Sequence, residues 1–245
     1  MNDSPERGEP MLVGAEPPPT PTAALISRLV AEFVGTAFLL AVVVGSGIMA
    51  QQLSSDVGLQ LLENAFATAG VLAALILAFG PVSGAHFNPA VTVVDRALGG
   101  LDTATAAAYV VAQVCGAVLG VVVANLMFDL PAVTVSTRDR SSFHEFLAEA
   151  VATLGLLLVI FVMVRSRSTA NVAFAVGAYI GGAYWFTSST SFANPAVTVA
   201  RTLSDTFAGI EPASVPGFLL AQAIAVAVTL GLLRLLFPAG ATAAS

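Results

Sequence analysis

The amino-acid sequence predicts an all-α membrane protein of six transmembrane helices and two re-entrant half-helices, arranged as an inverted repeat. Three observations carry this expectation. Of 245 residues, 57% are hydrophobic and 10% are charged, where a soluble domain carries roughly 25% charge. A chain so apolar needs a solvent other than water. Six apolar segments reach the ~20 residues that a helix needs to cross a bilayer, and two further apolar segments are too short to do so. The chain also repeats itself, motif by motif, across its two halves.

Residues 1–22 combine Pro10, Pro17, Pro18, Pro19 and Pro21 with Glu6, Glu9 and Glu16. This composition predicts a disordered cytoplasmic tail. It does not resemble a signal peptide, because the apolar run that follows, Ala24 to Ala50, is too long for one. The spanning segments are about 24–50, 60–80, 103–127, 143–164, 171–190 and 215–237. The two short ones are Pro81 to Gly99 and Ser191 to Ala208, the signature of segments that enter the membrane and turn back.

The repeat is read directly. Ala31-Glu32-Phe33-Val34-Gly35-Thr36 in the first span returns as Ala148-Glu149-Ala150-Val151-Ala152-Thr153 in the fourth. Phe87-Asn88-Pro89-Ala90-Val91-Thr92 returns as Ala193-Asn194-Pro195-Ala196-Val197-Thr198, and Tyr109 to Gln113 as Phe218 to Gln222. Each half is helix, helix, re-entrant segment, helix. Three spans is an odd number, so the second half enters from the opposite face. The expected layout is one membrane domain over residues 23–238, with repeats of about 23–128 and 141–238 and a short tail at 239–245. Arg7, Arg28, Arg96, Arg165, Arg167 and Arg234 fall on one side, and Arg138, Arg140 and Arg201 on the other. Six against three places both termini in the cytoplasm.

Asparagine is a preferred N-cap and proline is favoured at the first helical position. Each Asn-Pro-Ala, at Asn88-Pro89-Ala90 and Asn194-Pro195-Ala196, therefore reads as a helix start. Two starts entering from opposite faces bring two helix N-termini together near the midplane. Non-helical backbone survives at that depth only when buried in protein or lining a wet cavity. Each start places roughly half a positive charge at the centre. Each asparagine can cap its helix with the carbonyl and still offer amide N–H donors to a solute. A single such tripeptide would be an ordinary cap; two, at matching places in an inverted repeat, point to a pore.

Ser83-Gly84-Ala85-His86-Phe87-Asn88-Pro89-Ala90-Val91-Thr92 resembles the first signature loop of the aquaporin, or major intrinsic protein, superfamily. The resemblance covers residues 24–237. It implies a homotetramer in the cell membrane with a pore in every subunit. It implies that Glu32 and Glu149 accept backbone N–H bonds from the re-entrant loops, in place of the proton relay that an intramembrane carboxylate also suggests. It implies that His86 lines the inner half of the pore. Glu63 and Asn64 sit at the start of the second helix, where they can stay hydrated. Trp185 and Tyr184 read as packing or interfacial residues, and Cys115 as a small buried hydrophobe. Gly116-x-x-x-Gly120 and Gly177-x-x-x-Gly181 predict close helix contacts.

The second motif of the family usually continues with arginine at the narrowest part of the pore. Here Val197 follows, and the next arginine, Arg201, comes about one helical turn later. It is not expected in the same place unless the loop shifts. Spacing from the asparagines maps the other filter positions to Thr68, Gly182 and Ser191. Thr68, Gly182, Ser191 and Val197 would form a wide filter with no charge, no histidine and no aromatic wall. That pattern resembles the bacterial aquaglyceroporins found with arsenic-resistance genes, and implies metalloid hydroxides such as arsenite among the solutes.

The function expected is a passive channel for small uncharged solutes: glycerol-like polyols, metalloid hydroxides and water. A general water and glycerol channel with no metalloid role stays open. So does an alternating-access carrier, which also uses inverted repeats and broken helices. A non-conducting scaffold is a further class. No nucleophile–base pair, metal-ligand cluster or cofactor motif suggests an enzyme, and no basic patch suggests nucleic acid.

Overall fold

A computed structural model describes residues 21–238. The expected tails at 1–22 and 239–245 lie outside the described residues, apart from the first two residues of the first helix. Eight α-helices follow in chain order: α1 (Pro21–Leu53), α2 (Val57–Ser83), α3 (Pro89–Ala97), α4 (Thr103–Met127), α5 (Phe143–Arg165), α6 (Val172–Phe186), α7 (Pro195–Ala200) and α8 (Val215–Leu236). The described residues contain no strand.

Five helices, α1, α2, α4, α5 and α8, are long and apolar enough to cross a membrane, with mean hydropathies of 2.1–2.5. The sixth expected span, 171–190, is the exception. Its helix α6 has 15 residues, starting after a 3-10 turn at Thr169–Asn171 and ending where Thr187 turns extended. Helix and turn together reach roughly 28 Å, close to the ~30 Å of a bilayer core. The span survives as a shorter rod because its last residues are given over to the second re-entrant loop.

Local chemistry sets the helix boundaries. Asp56 accepts from Leu59 N at 3.1 Å to open α2, and Asp102 accepts from Thr105 N at 3.0 Å to open α4. Ser142 and Glu145 form a reciprocal capping box on α5. At the crossing of α1 and α4, a Cβ on Gly116 would collide with the Phe33 carbonyl oxygen, and one on Gly120 with that of Ala37. Gly177 on α6 meets Ala69 of α2 in the same way, at 2.8 Å from its carbonyl oxygen. These glycines let helix backbones touch, as expected of small-residue motifs in membranes.

The outer surface is apolar: Phe38, Phe66, Phe143, Trp185 and Leu235 are all exposed. On a water-soluble monomer such a surface would be a liability; against lipid it is the favoured state. Cys115 belongs to this surface and is exposed, not buried as expected, because the buried side of α4 is its Tyr109–Gln113–Gly116–Gly120 stripe. Asn64 differs in the other direction. It is 1% exposed, and its amide donates to Val43 O and Ser46 Oγ, both at 2.8 Å. It ties α2 to α1 instead of meeting water.

Candidate functional site: a cavity between two facing half-helices

The short helices α3 and α7 meet at their N-termini. Asn88 Oδ1 accepts from Ala90 N at 2.8 Å, and Asn194 Oδ1 accepts from Ala196 N at 3.0 Å. Pro89 and Pro195 occupy the first helical positions, where a missing N–H costs nothing. The two amides then cross over. Asn88 Nδ2 donates to Ala193 O at 2.7 Å, and Asn194 Nδ2 donates to Phe87 O at 2.7 Å. Each amide has two N–H groups, so one on each asparagine is left for the cavity that both residues line.

The loops before these helices are bent in ways side chains resist. Ala85 and Phe87 in the first, and Thr190, Ser191 and Ala193 in the second, have φ between 49° and 59°. Left-handed backbone outside glycine costs about 1–3 kcal/mol per residue and persists only where surroundings enforce it. The enforcing groups are the two buried carboxylates. Glu32 accepts from His86 N at 2.9 Å, Phe87 N at 2.7 Å, Ser83 Oγ at 2.6 Å and Gln113 Nε2 at 2.8 Å. Glu149 accepts from Phe192 N at 3.2 Å, from Ala193 N, and from Gln222 Nε2 at 2.7 Å. Gln113 and Gln222 also donate to Thr92 Oγ1 and Thr198 Oγ1, at 3.0 and 2.8 Å. The second network repeats the two loop amides, the glutamine and the threonine of the first. Neither carboxylate has a cationic partner among the described residues.

The cavity at this junction holds about 70 Å³. That exceeds the roughly 10–15 Å³ that a cavity needs to hold a water. Asn88, Asn194, His86, Thr68, Ser191 and Val197 all line it. A second cavity of about 210 Å³ shares Ile76, Ala85, His86, Val91, Ile160 and Val176 with the first and is also lined by Asp95. His86 Nδ1 lies 3.1 Å from Thr92 Oγ1, and its Nε2 lies 4.0 Å from Asp95 Oδ2.

Two filter positions depart from the expected map. Gly182 is exposed, and nothing lies within 4 Å of a Cβ placed there. The inward stripe of α6 is Val176, Ile180 and Tyr184, spaced by four; Gly182 is turned about 200° from Ile180. Tyr184, expected only to pack, borders the cavity, with its hydroxyl 3.3 Å from Thr68 Oγ1. The second departure is Arg201. The chain tightens into a 3-10 turn at Arg201–Leu203, directly after α7. The side chain, 2% exposed, returns to the cavity one turn beyond Val197. Its Nε donates to Ala208 O, and its guanidinium carbon lies 3.5 Å from the Phe192 ring centroid. The cavity wall around Val197 therefore carries a charge, on Arg201, and the rings of Tyr184 and Phe192, where spacing from the asparagines gives neither.

Residues 20–187 match the sequence model of the family described as "Major intrinsic protein". The chain belongs to the major intrinsic protein family. It is 49% identical over 216 residues to the protein named aquaglyceroporin AqpS of Rhizobium meliloti (strain 1021), covering 88% of this chain and 92% of that one. It is 28% identical to the glycerol uptake facilitator protein of Streptococcus pneumoniae, covering 64% and 74% of the two chains. The fold matches the X-ray structure of the aquaglyceroporin from Plasmodium falciparum with a TM-score of 0.63 at 20% identity, over 85% of this chain and 95% of that one. Members of the major intrinsic protein family are multi-pass membrane channels and not enzymes, and this chain is one of them.

Proposed function

We propose that this major intrinsic protein is a passive channel for small uncharged solutes: water, glycerol-like polyols and metalloid hydroxides such as arsenite. The observation that carries the reading is the crossed pair of asparagine amides. Each gives one N–H to the opposite loop and keeps one for the cavity. Free donors and two helix N-termini at one point favour oxygen lone pairs and oppose cations. Support for polyols comes from relatives named as an aquaglyceroporin and a glycerol facilitator. Val197, Ser191 and Thr68 are the small side chains that would give the wall its width, and metalloid hydroxides are polyhydroxy molecules of similar size and charge. A water and glycerol channel without metalloid transport is the coarser form of the same reading. A carrier is disfavoured because, among the described residues, no carboxylate lines the cavity at the two asparagines: both Glu32 and Glu149 are spent on loop backbone.

The natural unit proposed is a homotetramer in the cell membrane with both termini cytoplasmic. In support of the orientation, Arg28, Arg96, Arg165, Arg167 and Arg234 lie at the face where α1 begins, and Arg138, Arg140 and Arg201 lie toward the other. Stopped-flow light scattering on proteoliposomes tests the function. Reswelling after a glycerol jump, and arsenite entry that tracks it, are expected. Fast water movement with glycerol excluded would overturn the polyol reading, and glycerol entry without arsenite would reduce it to its coarser form.

A further inference from the structure

Arg201 heads the fully buried side chains by size. A guanidinium keeps its charge and offers five N–H donors, and burying one inside a membrane domain is costly unless it is paired. No carboxylate lies within ion-pair distance of it among the described residues. The group is held by a neutral cage, with Ala208 O accepting from Nε and the Phe192 ring beneath the guanidinium. Its terminal nitrogens make no hydrogen bond within the described residues, and the side chain borders the cavity together with Thr68, Tyr184 and Ser191. On the same wall Ser191 Oγ is buried and has no hydrogen-bond partner. A second guanidinium, Arg140, stands 5.0 Å from the same Phe192 ring. Its nitrogens are taken up by Gly209 O at 3.0 Å and Ser189 O at 3.3 Å, and it does not reach the cavity. It fixes the loops and adds to the positive potential at this point.

We infer that Arg201 is the cation barrier and outer solute-binding donor of this channel, supplying from one helical turn further along what Val197 cannot. The inference rests on the proposed passage of uncharged solutes. It adds that the route is closed to ions despite the valine, and that a solute oxygen pauses between the Arg201 terminal N–H groups and Ser191 Oγ. The Phe192 stack and the Ala208 carbonyl fix the guanidinium in advance, so the donors need no reordering when a solute arrives. Tyr184 and Thr68 close the rest of the ring, taking the part that the outward-facing Gly182 does not play.

The test is the flux of Na⁺ and H⁺ against water and glycerol in proteoliposomes of the full chain. The unaltered protein should pass water and glycerol and show no cation flux above lipid alone. Arg201→Gln keeps an amide within reach of the Ala208 carbonyl but removes the charge. It should still pass water, with cation flux raised by about tenfold or more, equivalent to about 1.4 kcal/mol of lost barrier. Adding Val197→Arg to that variant should restore exclusion, since the charge returns one turn deeper. Arg201→Lys covers the case in which the glutamine variant does not reach the membrane. It should stay cation-tight yet lose glycerol relative to water, because one ammonium cannot present parallel donors. Arg201→Gln that passes water and still excludes cations overturns the inference, as does a leaky Arg201→Lys. An unaltered protein that passes glycerol and leaks cations also overturns it, with no variant needed. Failure of the unaltered protein to pass any neutral solute would instead strike the proposed function.

Discussion

Val197 and Arg201 stand four residues apart and both border the cavity. They sample one wall at two depths, about 6 Å apart along a helix axis. Val197→Arg would place a second guanidinium on that wall, one turn from the first, filling the width that valine leaves. Methylated arsenicals should lose permeability most, glycerol less and water least, measured as cellular uptake normalised to protein in the membrane. A fall by one common factor would mark a folding defect and remove Val197 from the width-setting positions. Gly182→Leu is the complementary substitution. Its new side chain points into open space, so every flux should stay within about twofold of the parent, a change of about 0.4 kcal/mol or less; a selective loss of glycerol would return position 182 to the pore. The contrast shows what sequence could deliver at this scale. Asn88 and Asn194 were legible because capping is local chemistry, decided within three residues. Tyr184 was not, because counting back from Asn194 assumes how α6 is rotated, and rotation is set by packing against α2. Arg201 was half legible: its helical spacing from Val197 already placed it on the same face, but a missing neighbour was read as a missing charge.

At the scale of elements, the tightest constraint is backbone against backbone. Gly120 faces the Ala37 carbonyl with no room for a Cβ, whereas Gly231 on α8 has nothing within 4 Å of one. Gly120→Leu should therefore drive α1 and α4 apart and lower stability by about 1–3 kcal/mol or more. Gly231→Ala should be neutral or stabilising by up to about 1 kcal/mol, through helix propensity alone. Thermal inactivation in detergent separates the two, and equal shifts would mean that α1 and α4 do not close on these glycines. The six spans and two half-helices could be read from apolar run lengths, since lipid demands about 20 apolar residues of any crossing helix. The shortening of α6 could not. The run 171–190 continues past Phe186 without a charged residue, so its length alone does not show that Thr187 turns extended and leads into the loop that Glu149 holds through Phe192 and Ala193. The fate of Asn64 was hidden for a similar reason, because its partners Val43 and Ser46 are remote in sequence.

For the molecule as a whole, the two halves are joined at the centre by a clasp of two hydrogen bonds, Asn88 to Ala193 and Asn194 to Phe87. Each bond holds the loop that carries the other's acceptor, so they should stand or fall together. Asn88→Ala removes a helix cap, worth about 1 kcal/mol, and one clasp bond, worth about 1 kcal/mol. Asn194→Ala removes the same pair, and each single variant should therefore lose about 2 kcal/mol. Additivity would double this in the combined variant. Coupling predicts less, by about 0.5–3 kcal/mol, because once one amide is gone the loops part and the remaining bond has already weakened. The measurement is the temperature of half-inactivation in detergent for the parent, both single variants and the double variant, under one heating schedule. Water flux in proteoliposomes confirms that each variant is folded at the start. If the double variant loses the simple sum, the half-helices are independent caps that happen to face one another, and the free N–H groups at the centre are not held in register by the opposite loop. If it loses less, the inverted repeat works as one device, in which each half supplies the carbonyl that aims the other half's asparagine at the passing solute.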